Sequence, residues 1–98
     1  MRVAFDDDAL DRLETDPSFQ HRYPPPVVKA YRRRLNALHN AHDERDLRQM
    51  KGWHFERLSG NRSHQHSMRL NDQWRLILEI RGEAADKYIA IVAIEDYH

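Results

Sequence analysis

The spacing of apolar residues changes once along the chain, from a helical period to an alternating one. Asp7-Asp8-Ala9-Leu10-Asp11-Arg12-Leu13 places Leu10 and Leu13 at helical spacing, with acids in the first turn, where the helix dipole favours them. Residues 2–5 ahead of it read as a short edge strand. "PSFQHRYPPP" breaks the pattern, and Pro26 is suited to open the next helix. From Val27 onward Val28, Tyr31, Leu35, Leu38 and His42 repeat at helical intervals, which predicts one apolar face that ends on an imidazole. Arg32, Arg33 and Arg34 fall mostly off that stripe and read as a solvated helix face. "DERDLRQM" either continues this helix or starts a second short one.

Beyond Gly52 the period is that of strands. "HFERLSG" alternates. "HQHSMRLN" places His64, His66, Met68 and Leu70 on one face and Gln65, Ser67, Arg69 and Asn71 on the other. "QWRLILEIRG" separates Trp74, Leu76, Leu78 and Ile80 from Arg75, Ile77, Glu79 and Arg81. "KYIAIVAIEDYH" is apolar on both faces in its middle, as an interior strand would be. "GNRS", "ND" and "GEAAD" supply turn residues. Helices first and strands afterwards, on short connections, predict an α+β fold: N-terminal helices packed on a twisted, mainly antiparallel sheet.

Bulk composition narrows the function classes. Ninety-eight residues predict one domain, spanning 1–98. With no cysteine there is no disulfide framework, thiol nucleophile or thiolate metal site. No apolar run reaches membrane-spanning length, and "MRVAFDDDALDRL" lacks the layout of a secretory signal, so a cytoplasmic protein without membrane contacts is expected. The formal net charge is zero, but residues 51–78 hold Lys51, Arg57, Arg62, Arg69 and Arg75 against Glu56 and Asp72. A locally basic face on a neutral protein is compatible with binding phosphate.

Three groups of residues could carry chemistry. Arg75 sits in a strand between Trp74 and Leu76, where a guanidinium needs an anionic partner. That partner is either a neighbouring carboxylate (Glu79, Glu95 or Asp96) or a phosphate whose growing charge the fork of donors would stabilise. Asp96, Tyr97 and His98 follow a buried strand without a spacer, and imidazole transfers protons near neutral pH. His54, His64 and His66 lie near the basic strands. Two histidines on one face do not make a metal site, so no metal and no cofactor are expected. His54 is a proton carrier if it faces Arg75.

"FERLSGNRSHQHSMRLNDQWRLILEI" followed by "IEDYH" resembles the HigB branch of the RelE/ParE toxin superfamily. The resemblance rests on Leu58-x-Gly60-x-Arg62, then Ser67-x-Arg69-x-Asn71-Asp72-Gln73-Trp74-Arg75, then Asp96-Tyr97-His98. It implies a toxin held inactive by a co-encoded antitoxin, usually one with a helix-turn-helix DNA-binding domain through which operator DNA is met indirectly. Toxins of this kind cut messenger RNA in the ribosomal A site, without a metal. By the resemblance Arg75 takes the place of the arginine that contacts the scissile phosphate, and Asp96 and His98 that of the C-terminal acid and imidazole, with Tyr97 between them. His54 is a reserve acid–base group, and Lys51, Arg62, His64, His66 and Arg69 are the expected RNA contacts. Two positions depart from the pattern: Ser59 stands where a Lys or His is frequent, and His66 where an aromatic ring often lies. The superfamily also contains DNA gyrase poisons, which generally lack the "DYH" ending, and a weakly active degenerate toxin is a third alternative.

Overall fold

Two aspartates start two of the helices. The computed structural model describes residues 1–96. In α1 (Asp8–Thr15) the Asp7 carboxylate accepts from the Ala9 amide at 2.8 Å. In α3 (Glu44–Arg48) Asp43 accepts from the Arg45 amide at 2.8 Å. Each satisfies a donor that the first helical turn leaves unpaired. "DERDLRQM" therefore starts a separate helix. Between them lies α2 (Pro25–Asn40), which opens one residue earlier than expected, with Pro24 as its cap. Proline is tolerated in the first turn because its missing N–H would have no partner there.

Strands β1 (Arg2–Phe5), β2 (Glu56–Arg57), β3 (His66–Arg69), β4 (Trp74–Arg81) and β5 (Tyr88–Asp96) form one sheet in the order β1-β5-β4-β3-β2. β1 is an edge strand, as the sequence predicts, and runs parallel to β5. The other three pairings are antiparallel. The helices cover one face. Leu13, Val28, Tyr31, Leu35 and Leu38 meet Met68, Leu76, Leu78, Ile89, Ile91 and Ile94 in a single cluster. Each such side chain contributes roughly 1.5–3 kcal/mol by leaving water.

The α2 arginines are not a bare solvated face. Arg32 donates to the carbonyls of Leu13, Asp16 and Phe19 at 2.9, 3.1 and 3.2 Å, closing the C-terminal end of α1. Arg34 lies 4.3 Å over the Trp53 ring and donates to the Arg69 carbonyl at 3.1 Å. Only Arg33 of the three is exposed. The apolar stripe also stops before His42, because the helix ends at Asn40 and His42 is exposed beyond it. Neither difference was visible in periodicity, which says where a side chain points but not what it meets.

An irregularity in β5 sets the face of everything after it. Ile77 pairs with Ala93 but the next residue, Leu78, pairs with Ile91, so Val92 is an extra residue in β5. A bulge of this kind shifts the alternation by one. Ile91 and Ile94 consequently both face the helices, and Glu95 falls opposite Arg75 on the other side of the sheet.

Candidate active site

On the face away from the helices the registers bring a small set of side chains together. Ser67 opposes Ile77, Arg69 opposes Arg75, and Arg75 opposes Glu95. Directly opposed residues project to the same side. The β2–β3 loop folds over this face, held by the Leu58 amide on the Gln65 carbonyl and the Gln65 amide on the Arg62 carbonyl, both at 2.9 Å. Ile77 is 2 % exposed yet stands outside the helix-side cluster, so it is the apolar floor of this side.

Two adjoining depressions share Leu58, Ser67 and Arg75. One, of about 90 Å³, is completed by Arg62, Ile77, Glu95 and Asp96. The other, of about 160 Å³, is completed by His54 and Glu56. Together they make one cleft, with Arg75 in the middle, Asp96 towards one end and His54 towards the other. A larger depression of about 470 Å³ lies at the opposite end of the sheet, around Arg2, His42 and the β4–β5 turn. Its charges are already matched in part by Lys87 and Glu44 at 3.6 Å, and none of the catalytic or RNA-contact candidates named from sequence lines it.

Each wall of the cleft is positioned by local structure. Asn71 accepts from the amides of Gln73 and Trp74 at 2.9 and 2.8 Å, fixing the β3–β4 turn. Arg75 then donates back to the Asn71 carbonyl at 2.9 Å. Gln73 donates to the Asp96 carboxylate at 3.0 Å, which orients the acid at the end of β5. His54 has a φ of 49°, a left-handed conformation that histidine tolerates better than most residues. That kink lets Phe55 enter the core while the His54 ring stands out in the cleft, 3.8 Å from Glu56.

The cations named from sequence differ in what holds them. Arg62 makes a two-pronged pair with Glu95, at 3.2 and 2.9 Å, and also donates to Gln65 at 3.0 Å. Gln65 passes the network to Glu79 at 3.1 Å, and Glu79 to Arg81 at 2.9 Å. Burial alone would raise the Glu79 pKa, but the hydrogen bonds from Gln65 and Arg81 hold it below the usual carboxylate range. Arg69 pairs with Asp72 at the strand end. His64 is exposed in the turn before β3, 3.8 Å from Glu79, so it does not share a strand face with His66. Lys51 is exposed in a turn and lines neither depression.

His66 is the clear correction. It is 5 % exposed, faces the helices, and stacks on Phe55 with centroids 4.8 Å apart and planes at 4°. Its Nδ1 is buried without a partner. Burial, then the charges of Arg48 and Arg57, push its pKa down. The position keeps an aromatic ring's place by stacking, but buried on the helix side of the sheet, away from the cleft. Tyr97 and His98 lie outside the described residues. Sequence reasoning passed over Glu56, and it named Leu58 and Ser67 only within the motif and Glu95 only as a possible carboxylate partner of Arg75. Alternation already put Ser67 on the Arg75 face, whereas Glu95 reaches that face only through the bulge. Among the described residues no three histidines or carboxylates converge as metal ligands.

The protein is an α+β domain whose mainly antiparallel sheet has helices on one face and an arginine-centred cleft on the other. A sequence model of the family described as "RelE-like toxin of type II toxin-antitoxin system HigB" matches residues 3–98. Toxin HigB-1 of Vibrio cholerae serotype O1 is 34% identical over 90 residues, covering 91% of this chain and 95% of that protein. A solved YoeB/ParE toxin from Agrobacterium tumefaciens superposes with a TM-score of 0.66 over 100% of both chains at 13% identity, a likeness of fold. The chain belongs to the HigB-like toxin family, within the RelE/ParE superfamily. It is thus the toxin of a type II toxin-antitoxin system, and a cognate antitoxin is its partner. No helix among the described residues is long and apolar enough to cross a membrane.

Proposed function

We propose that the chain is a ribosome-dependent endoribonuclease that cuts messenger RNA during translation in the cytoplasm, as a single domain and without a metal. The observation that carries this reading is Arg75 at the centre of a cleft flanked by His54 and Asp96. RNA brings its own nucleophile. The 2′-oxygen attacks phosphorus, its proton passes to a base on the protein, and the bond to the 5′-oxygen breaks as that oxygen takes a proton. A 2′,3′-cyclic phosphate and a 5′-hydroxyl result. Arg75 stabilises the charge that grows on the phosphoryl oxygens. Proton transfer is assigned to His98 with Asp96, Tyr97 assisting, and His54 is the second acid–base group within the same cleft.

Weak binding of free RNA follows from the charges. Affinity for a polyanion depends on the number of phosphates neutralised, and here the Arg62 and Arg69 forks already hold Glu95 and Asp72. The ribosome supplies the missing binding energy and holds the message in a reactive bend. The antitoxin, a helix-turn-helix protein in this reading, connects the toxin to operator DNA.

The test is induction without antitoxin, followed by mapping of the 5′ ends of cellular messages. Cuts at fixed positions within translated codons are expected from the parent. Arg75→Ala lowers cleavage by about 10²–10³-fold. A variant that still arrests growth as the parent does removes Arg75 from the mechanism. Equal cleavage of naked and translated RNA removes the ribosome.

A further inference from the structure

Ser67 is the smallest side chain in the cleft, and it stands where the two depressions meet. Its neighbours in β3, His66 and Met68, are buried on the helix side, so pleating turns Ser67 to the other side. There it opposes Glu56 of β2 and Ile77 of β4. Arg75, two residues before Ile77 on β4, is its diagonal neighbour. Diagonal neighbours across a pleated pair lie roughly 7–8 Å apart, within reach of a long side chain. A phosphate held by the Arg75 guanidinium can therefore rest on the Ser67 oxygen as well.

Packing does not ask for a hydroxyl at this place. Ser67 is 9 % exposed, and the apolar Leu58 and Ile77 line the same depression. Strand preference favours a β-branched residue there, and alanine fills the same space. A polar group that gives up water is costly unless something bonds to it. Among the described residues the Ser67 hydroxyl makes no hydrogen bond, yet it is not sealed in as His66 Nδ1 is. Its oxygen faces the cleft with a proton to donate.

The surrounding charges point to the same spot. Glu56 stands in one depression, and Glu95 and Asp96 stand in the other. Carboxylates at both ends leave the middle as the place for an anion. Of the three residues common to both depressions, Arg75 brings charge, Ser67 brings a neutral donor, and Leu58 brings neither.

We propose that Ser67 is a further catalytic residue, whose hydroxyl donates to a non-bridging oxygen of the phosphodiester held by Arg75. The proposal rests on the nuclease reading above and adds a second donor to it. As the 2′-oxygen attacks, charge grows on the non-bridging oxygens, and a donor already in place needs no reorganisation. The Ser67 proton stays on its own oxygen, and no bond to the residue forms or breaks.

Ser67→Ala removes the donor and leaves the helix-side core intact. Single-turnover cleavage of a message on translating ribosomes, at saturating toxin, falls about 10²-fold, with the melting temperature unchanged. Ser67→Thr keeps a hydroxyl and recovers most of the rate. The same message is then made with one non-bridging oxygen of the cleaved linkage replaced by sulfur, a poorer acceptor, in each of its two configurations. One configuration slows the parent more than it slows Ser67→Ala, which has already lost the contact. An equal effect of sulfur in both chains overturns the proposal, as does a Ser67→Ala chain that cuts as fast as the parent. So does an equal loss in Ser67→Ala and Ser67→Thr, which would make space and not the hydroxyl the requirement. If Ser67→Ala melts early, rates are read below its melting temperature, where the sulfur comparison still decides. A parent that leaves translated messages whole fails the nuclease reading and Ser67 with it, whereas a parent that cuts no faster than Ser67→Ala fails Ser67 alone.

Discussion

Glu95→Gln asks whether the cleft's cations are held in check by an internal carboxylate. Glu95 takes both prongs of the Arg62 fork, at 3.2 and 2.9 Å, and stands opposite Arg75 in the β4–β5 register. Both side chains of the pair are 42% exposed, so solvent screens it. An exposed pair contributes at most about 1 kcal/mol, against a typical stability of about 5–15 kcal/mol. In a chain of this size 1 kcal/mol moves the melting temperature by roughly 4–8 °C, so the variant stays folded. The effect on RNA is larger in kind. One negative charge leaves the cleft, and Arg62 becomes able to neutralise one further phosphate. For a single strand each neutralised phosphate steepens log K against log salt by about 0.7. Between about 50 and 200 mM salt, a fourfold range, that added slope is a factor of about 2.6. Fluorescence anisotropy of an uncleavable oligoribonucleotide at several salt concentrations measures it. Glu95→Gln binds more tightly at low salt, with the steeper slope. An identical slope in parent and variant would refute the claim that Glu95 keeps Arg62 from phosphate, and a melting temperature lowered by tens of degrees would show the pair to be structural instead.

Other consequences are simpler to read. Tyr31→Phe removes a buried hydroxyl that donates to the Leu10 carbonyl at 2.8 Å; a loss of about 0.5–1.5 kcal/mol is expected in thermal denaturation. Arg32→Met keeps the aliphatic stem but strips the carbonyls of Leu13, Asp16 and Phe19 of their donor, at about 1.5–3 kcal/mol, and α1 becomes the first element to exchange its amides. His66 is held below its ordinary pKa, first by burial and then by Arg48 and Arg57, so the unfolded chain binds its proton first as pH falls. Its contribution is complete above the unfolded value of about 6.5 and is lost progressively below it. Melting temperatures between pH 7.5 and 5.5 therefore decline in the parent, and His66→Phe, which preserves the stack on Phe55, flattens that decline; an equal decline in both chains excludes His66 as the source.

What the sequence disclosed depended on how local the cause was. The alternation of "QWRLILEI" put Arg75 and Ile77 on one face because pleating alone decides that. The edge strand at 2–5 and the interior position of β5 were legible for the same reason. The fate of Arg32 and Arg34 was not, because a guanidinium on the flank of a helix either meets solvent or reaches the carbonyls of another element, and only the packing of α1 and the β3 end against α2 decides which. His66 was misplaced from a correct parity. It does share a face with Met68, but that face is the core, and the ring is kept there by Phe55, whose approach depends on the left-handed turn at His54. Glu95 was out of reach of any alternation rule, since one extra residue at Val92 reverses the parity of every later position in the strand.

That extra residue explains more than a missed assignment. If Val92 were paired in regular alternation instead of bulged, a strand with Ile91 facing the helices would present Ala93 and Glu95 to the helices as well, and Ile94 to solvent. A carboxylate would then be buried unpaired, at several kcal/mol, and the Arg75 face would lose the acid that holds Arg62. With it, the apolar residues at 91 and 94 both reach the core, and the last charged residues of β5 are delivered beside the first residues of β4. Bulges are frequent next to active sites because they re-aim side chains without interrupting a sheet. The cleft is therefore a product of register as much as of residue type. Deleting Val92 alone leaves Ala93, Ile94 and Glu95 opposite Ile77, Leu76 and Arg75 in regular alternation, so stability and cleavage should both be largely kept, whereas deleting Val92 and Ala93 together, which turns Glu95 to the helix side, should cost both. If the double deletion folds and cuts as the parent does, the alignment of Glu95 with Arg75 is not set by the register of β5.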